Sequence, residues 1–156
     1  MAAAGTDDSL SVALADPAAT EALGRRLGAL MRAGDVVCLS GDLGAGKTTL
    51  ARGAIAAWTG SGEEAPSPTY TLVQVYEGAK GALLHADLYR LKRPDEAEEI
   101  GLIDAFGREA VLIEWPERLA GALPKDRLEI ALSSEGAQRR AHVIAHGAWR
   151  ERAHGL

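Results

Sequence analysis

The stretch Gly41-Asp42-Leu43-Gly44-Ala45-Gly46-Lys47-Thr48 constrains this chain more than any other. It follows the apolar run Val36-Val37-Cys38-Leu39 and precedes a helical pattern, residues 47–58, that sets Leu50, Ala54, Ala57 and Trp58 on one face. A strand apolar at every position is covered on both faces, so residues 36–39 belong inside a sheet flanked by helices. The pattern G-x-x-x-x-G-K-[ST] between such a strand and such a helix is a phosphate-cradling loop. Its glycines let backbone N–H groups turn inward as an anion nest, and the helix N-terminus adds partial positive charge. Gly41, Asp42, Leu43, Gly44, Ala45, Gly46, Lys47, Thr48 and Thr49 are therefore the expected nucleotide-binding residues. Lys47 suits the β- and γ-phosphates and the Thr48 hydroxyl suits Mg²⁺, so the expected ligand is a magnesium–nucleoside triphosphate, ATP first.

The rest of the chain supplies elements around that unit. Residues 9–14 alternate apolar and polar and predict a first strand. Asp16-Pro17 offers an N-cap and a proline at N1. The helix that follows carries Leu23, Leu27, Leu30 and Met31 on one face, and Gly34 is expected to end it. Thr59-Gly60-Ser61-Gly62 stops the helix after the loop. Residues 71–76 and 82–86 predict a β-hairpin across the turn 78–81. Pro94-Asp95-Glu96 predicts a helix start with proline at N1, and residues 111–113 a buried strand. Residues 127–132 and 139–145 predict a closing hairpin around 133–138. The expected organisation is a flexible N-terminus over 1–8, one domain over 9–147 and a polar tail over 148–156. The expected fold is a single-domain α/β P-loop NTPase, three layers α/β/α, with a mixed central sheet that includes antiparallel hairpins.

Composition narrows the function. At 156 residues the chain suits one domain. One cysteine, Cys38, excludes an internal disulfide and a cysteine-built zinc site, and its apolar neighbours suggest a buried thiol. A net charge of −5 argues against a sequence-independent grip on nucleic acid, so any RNA role is expected to be indirect, with Arg139-Arg140 and residues 150–152 the basic exceptions. The first residues carry Asp7 and Asp8 and no cation before Arg25, which fits neither a secretory signal nor a transit peptide. No apolar stretch approaches the roughly 20 residues of a bilayer span. The expected location is the cytoplasm, with no membrane contact.

A phosphate loop needs a carboxylate for its magnesium, usually at the end of a neighbouring apolar strand. Glu114 follows Val111-Leu112-Ile113, and Asp87 follows Leu83-Leu84-His85-Ala86. Glu114 is the first choice for the metal, with Thr48; Asp87 completes the shell through water or orients an attacking water. Lys47, Asp87 and Glu114 form the expected catalytic set. Ser67, Thr69, Tyr70 and Thr71, in Ser67-Pro68-Thr69-Tyr70-Thr71, form either a γ-phosphate-sensing switch or an ordinary proline turn. His85 reads as a packed or capping histidine rather than a base. Arg90 could neutralise phosphate charge, but a surface ion pair is the commoner fate of an arginine; Trp115 could line the pocket, with core packing the reading of at least equal weight.

Four segments, GDLGAGKTT at 41–49, SPTYTLV at 67–73, ADLYRL at 86–91 and LIEWP at 112–116, resemble the bacterial TsaE (YjeE) family in order and spacing. The loop alone is generic, but the other three are specific, and the similarity covers residues 9–147. The resemblance implies a small Mg²⁺-dependent ATPase, slow alone, needed to make threonylcarbamoyladenosine beside the anticodon of tRNA. Its implied partner is the TsaB–TsaD pair, whose turnovers it would reset by ATP hydrolysis. It also implies that the 41–48 loop holds phosphates, Thr48 and Glu114 hold Mg²⁺, Asp87 supports hydrolysis and 67–71 switches. Ala86 departs from the aromatic often found before that aspartate, and the closing hairpin that carries Arg139 and Arg140 is the less specific part of the resemblance.

The alternative reading is a small-molecule P-loop kinase, which should add an acceptor pocket and an arginine-bearing lid; no such insertion is visible. A GTPase should carry a guanine-reading N/T-K-x-D segment, which Pro124-Lys125-Asp126 does not supply, and Asp104-Ala105-Phe106-Gly107 follows a helix start rather than a strand. A non-hydrolysing, nucleotide-dependent interaction module would share all the loop residues.

Overall fold

Seven strands form one sheet in the order β1-β7-β6-β2-β5-β4-β3 in a computed structural model that describes residues 9–42, 44–60, 72–119 and 121–156. The expected flexible N-terminus, Leu43 and the switch residues Ser67, Thr69, Tyr70 and Thr71 lie outside the described residues. The central strands β2 (Val36–Ser40), β4 (Gly81–Asp87), β5 (Ala110–Glu114) and β6 (Leu128–Glu135) run parallel, β2 lying between β5 and β6. β3 (Val73–Gly78) joins antiparallel on one side. On the other side β7 (Gln138–Ala145) and then β1 (Ser9–Leu14) continue the sheet antiparallel.

The apolar runs are buried from both sides, as a parallel interior demands. Val37, Leu39 and Leu112 face a core shared with α1 (Pro17–Leu30) and α2 (Lys47–Thr59). Val36, Cys38, Val111 and Ile113 face a second core under α3 (Glu96–Glu99), α4 (Leu102–Ala105) and the 3₁₀ turn Pro116–Leu119. The three layers are thus unequal: full-length helices on one face, four-residue helices on the other. Burial pushes the Cys38 thiol up to about 12, which makes it an inert packing group.

Asp16 caps α1 by accepting from Ala19 N–H at 2.8 Å, with Pro17 in the first turn; such a cap contributes about 1 kcal/mol. α1 and α2 cross so closely that a Cβ on Gly24 would lie 2.1 Å from the Leu50 carbonyl oxygen, and one on Gly28 would lie 2.3 Å from that of Ala54. Glycine at these two positions lets the backbones touch, and the crossing fixes where α2 begins.

Several expected boundaries shift. α1 ends at Leu30, with Met31 already extended, four residues before Gly34. α3 begins at Glu96, leaving Pro94 ahead of the first turn, because the Glu96 carboxylate accepts from Lys92 and Arg93 N–H and starts the turn itself. β6 and β7 extend to Glu135 and Gln138 across a two-residue turn; their outer ends are polar, paired by the backbone and by the Glu135–Arg140 ion pair, so no apolar alternation marks them. The expected polar tail is a docked segment: α5 (Trp149–Arg152) runs into a 3₁₀ turn, and Trp149 is buried in the α1-side core. Arg152 locks it by a two-pronged contact with Asp35, at 2.6 and 2.8 Å, and a bond to the Leu30 carbonyl. Arg150, Glu151 and His154 are exposed between and beside the inward-facing Trp149 and Ala153, and Arg152 adds a fourth polar residue, which is why the composition reads as a tail.

Candidate functional site

The C-terminal ends of β2, β4 and β5 meet the N-terminus of α2. Gly46 stands before α2 in the left-handed region, at φ 107°. Gly41, at φ 136°, lies so close to β6 that a Cβ would sit 2.5 Å from the Leu132 carbonyl oxygen. These two glycines make the loop's path possible.

Lys47 is buried at the first turn of α2. Its ammonium donates to the Gly41 carbonyl and, at 3.0 Å, to that of Asp42. It also lies 4.1 Å from the centre of the Trp115 ring, a cation–π contact. Burial lowers the Lys47 pKa below the ordinary lysine value, while Glu114, Glu117, Asp87 and Asp42 act to raise it. Trp115 reaches this position because its own backbone is left-handed, at φ 62°, alone among the described non-glycine residues. A left-handed residue costs about 1–2 kcal/mol. The following proline disfavours the right-handed turn, and the Trp115 N–H is held by the Leu39 carbonyl at 3.2 Å. The strain thus brings an indole under the lysine, and Tyr89 packs on it with ring centres 5.0 Å apart.

Glu114 closes β5 and is only 2% exposed. Its Oε1 accepts from the Thr48 hydroxyl at 3.3 Å, and its Oε2 accepts from His85 Nε2 at 2.7 Å. Asp87 pairs with Glu114 in register across β4 and β5, so both acids end strands on the same side of the loop. Burial raises the Asp87 pKa; the Tyr89 N–H counters this, Glu114 adds to the rise, and His85 and Lys47 oppose it.

Thr48 and Glu114 therefore offer one hydroxyl and one carboxylate at the mouth of the loop. Among the described residues no group of three or more histidines, cysteines or acids converges on a metal position. That donor set suits Mg²⁺, which takes oxygen ligands and draws most of them from water and phosphate. On the other flank of the loop, a cavity of about 150 Å³ opens between Asp16, Thr20, Gly44, Thr49 and Arg139.

The structure thus brings together the described loop residues, Thr49, Asp87 and Glu114. Arg139 joins them by donating to the Gly44 carbonyl at 3.2 Å, whereas Arg140 turns to Glu135 and Ser11. Neighbours in sequence on a strand face opposite ways, and the sequence alone does not tell which faces the loop. Arg90 is exposed, and Asp104 lies within α4, away from any strand end. Ala86 points into the second core, away from Asp87, so its departure from an aromatic touches packing only. The His85–Glu114 bond escaped the sequence reading, although a histidine two residues before Asp87 on one strand shares its face.

A family model described as "Threonylcarbamoyl adenosine biosynthesis protein TsaE" matches residues 14–142. The chain belongs to the TsaE family. TsaE proteins are named as tRNA threonylcarbamoyladenosine biosynthesis proteins, and several are similar across most of the domain. The Bacillus subtilis TsaE is 37% identical over 80% of this chain and 78% of its own length. The Streptomyces coelicolor TsaE is 39% identical over 80% and 88%. The Rickettsia conorii TsaE is 37% identical over 74% of this chain, a match spanning 66% of that protein. Among solved structures, "Crystal structure of Bacillus subtilus YdiB" superposes with a TM-score of 0.72 at 28% identity, covering 92% of this chain and 90% of that one. The fold is that of a P-loop NTPase-like TsaE domain with a mixed sheet. No helix among the described residues is long and apolar enough to cross a membrane.

Proposed function

We propose that this TsaE-family chain is a cytoplasmic, Mg²⁺-dependent ATPase, slow alone, that serves the TsaB–TsaD transferase in threonylcarbamoyladenosine modification of tRNA, meeting the tRNA itself only indirectly. The observation that carries the ATPase reading is the convergence of Lys47, Thr48 and Glu114 at the N-terminus of α2. The backbone N–H groups of the loop bind the phosphates, and Lys47 moves its charge from the Gly41 and Asp42 carbonyls to the β- and γ-oxygens. Thr48 and Glu114 would hold the Mg²⁺, which supplies charge neutralisation on the phosphate oxygens when bound. Asp87, beside Glu114, orients the attacking water or an outer-shell water of the metal. The cavity lined by Thr20, Thr49 and Arg139 takes the nucleoside end. The switch role of residues 67–71 and the TsaB–TsaD partnership come from the resemblance.

The test is calorimetry of ATP binding with Mg²⁺ and with chelator, followed by phosphate release with and without the TsaB–TsaD pair. Magnesium-dependent binding, slow hydrolysis and a changed rate with the pair are expected. Glu114→Ala should lower the magnesium dependence of binding by about tenfold or more. No heat of association with any adenine nucleotide sinks the reading, and phosphorylation of a small acceptor in a metabolite screen would favour the kinase instead.

A further inference from the structure

We infer that His85 is a positioning residue for Glu114: its Nε2–H holds the carboxylate so that the other oxygen faces Thr48 and the metal position. The inference rests on the Mg²⁺–ATP reading above and adds a residue to it.

Glu114 is a buried acid whose two oxygens have different neighbours. Oε1 meets the Thr48 hydroxyl at 3.3 Å, and Oε2 meets His85 Nε2 at 2.7 Å. The side chains of His85 and Glu114 are each 2% exposed, so no bulk water substitutes for either partner. A buried carboxylate oxygen without a donor is costly, and the shorter, better contact decides the rotamer. That contact is the one to His85.

The imidazole has little else to do with its proton. Among the described residues nothing hydrogen-bonds its Nδ1, which is buried. A proton on Nδ1 would leave a donor without an acceptor, whereas a proton on Nε2 goes to the carboxylate and leaves only a lone pair. The backbone fixes the ring in turn: His85 lies inside β4, between Gln74 of β3 and Leu112 of β5. The strand period of two then presents His85 and Asp87 on one face beside Glu114. Histidines and carboxylates one step removed from a metal commonly act this way, and losing such a partner weakens metal binding about 10- to 100-fold.

Three variants test the idea by calorimetry with a non-hydrolysable ATP analogue, with Mg²⁺ and with chelator: His85→Gln, His85→Asn and His85→Leu. The glutamine amide nitrogen reaches the place of Nε2, whereas that of asparagine stops near Nδ1. The expected result is a 10- to 100-fold loss of Mg²⁺-supported affinity in Asn and Leu, unchanged metal-free affinity, and recovery in Gln to within about threefold. Thermal melts accompany each variant, and the Gln–Asn contrast decides the matter if Leu does not fold. Equal affinity in wild type and Asn, equal loss in Gln and Asn, or matching losses with and without metal would each overturn the inference. If wild type itself binds the analogue no better with Mg²⁺, the ATPase reading fails first and His85 with it. If wild type needs Mg²⁺ and the variants need it equally, only the role of His85 falls.

Discussion

Lys47 and Lys80 are held in nearly the same way at opposite ends of two packed helices. Each ammonium donates to backbone carbonyls, Lys47 to Gly41 and Asp42, Lys80 to Gly28, Ala29 and Met31. Each lies over an indole, at 4.1 Å from Trp115 and 4.8 Å from Trp58. Burial lowers the pKa of both. The difference is electrostatic. Lys80 sits at the C-terminus of α1, where it neutralises the partial negative charge of free carbonyls, and a single acid, Asp35, stands nearby with two further cations, Arg32 and Arg152. Lys47 sits at the N-terminus of α2, where its charge adds to that of the helix, and Glu114, Glu117, Asp87 and Asp42 surround it. One lysine completes a helix; the other helps build a positive pole ringed by acids, which suits a polyphosphate with a divalent cation. Carbonyl capture over a tryptophan thus holds both ammonium groups, and their surroundings set them apart.

The contrast is easiest to break at the lysines themselves. Lys47→Ala should lower ATP affinity by about 100-fold or more, since a charge-assisted set of bonds to phosphate is lost. Lys80→Ala should leave that affinity within about twofold, and calorimetry on both proteins reads the difference. Equal losses would mean that the two sites are not distinct. Next in size is Gly28→Ala, which drives a Cβ onto the Ala54 carbonyl under the Lys80 cap. It should cost about 3 kcal/mol in urea unfolding, as overpacking against backbone does. Lys80→Ala itself should cost about 1 kcal/mol in the same assay, the scale of a helix C-terminal cation. A loss confined to nucleotide binding would reverse the assignment.

The smallest effect concerns Asp87, whose pKa the fold raises. A raised carboxyl contributes stability below its unfolded value that is lost as pH rises through the folded one. The ionised Asp87 is therefore unfavourable to the fold at neutral pH. Asp87→Asn keeps the acceptor for the Tyr89 N–H and should raise the melting temperature by about 1–2 °C at pH 7. The gain should shrink as pH falls through the raised value. A gain that grows toward acid pH would mean that the acid is stabilising, and would remove it from the set of groups kept for function at a cost to the fold.

Much of this was legible in the chain itself. The apolar runs at β2 and β5, the glycine pattern of the loop and the Asp16-Pro17 start are local signals, each set by side-chain periodicity or by backbone freedom within a few residues. So were the two strand-end acids, because a carboxylate that ends an apolar run marks where the dry sheet interior gives way to a polar site, even where that acid is itself buried. Tertiary structure alone decided three things. It paired Asp87 with Glu114 and sent His85 to the second carboxylate oxygen, because register between β4 and β5 is a long-range property. It picked Arg139 over Arg140, because one residue of shift reverses a side chain across the sheet. It also docked residues 148–156, where burial of Trp149 depends on a groove beside α1 that no local pattern records.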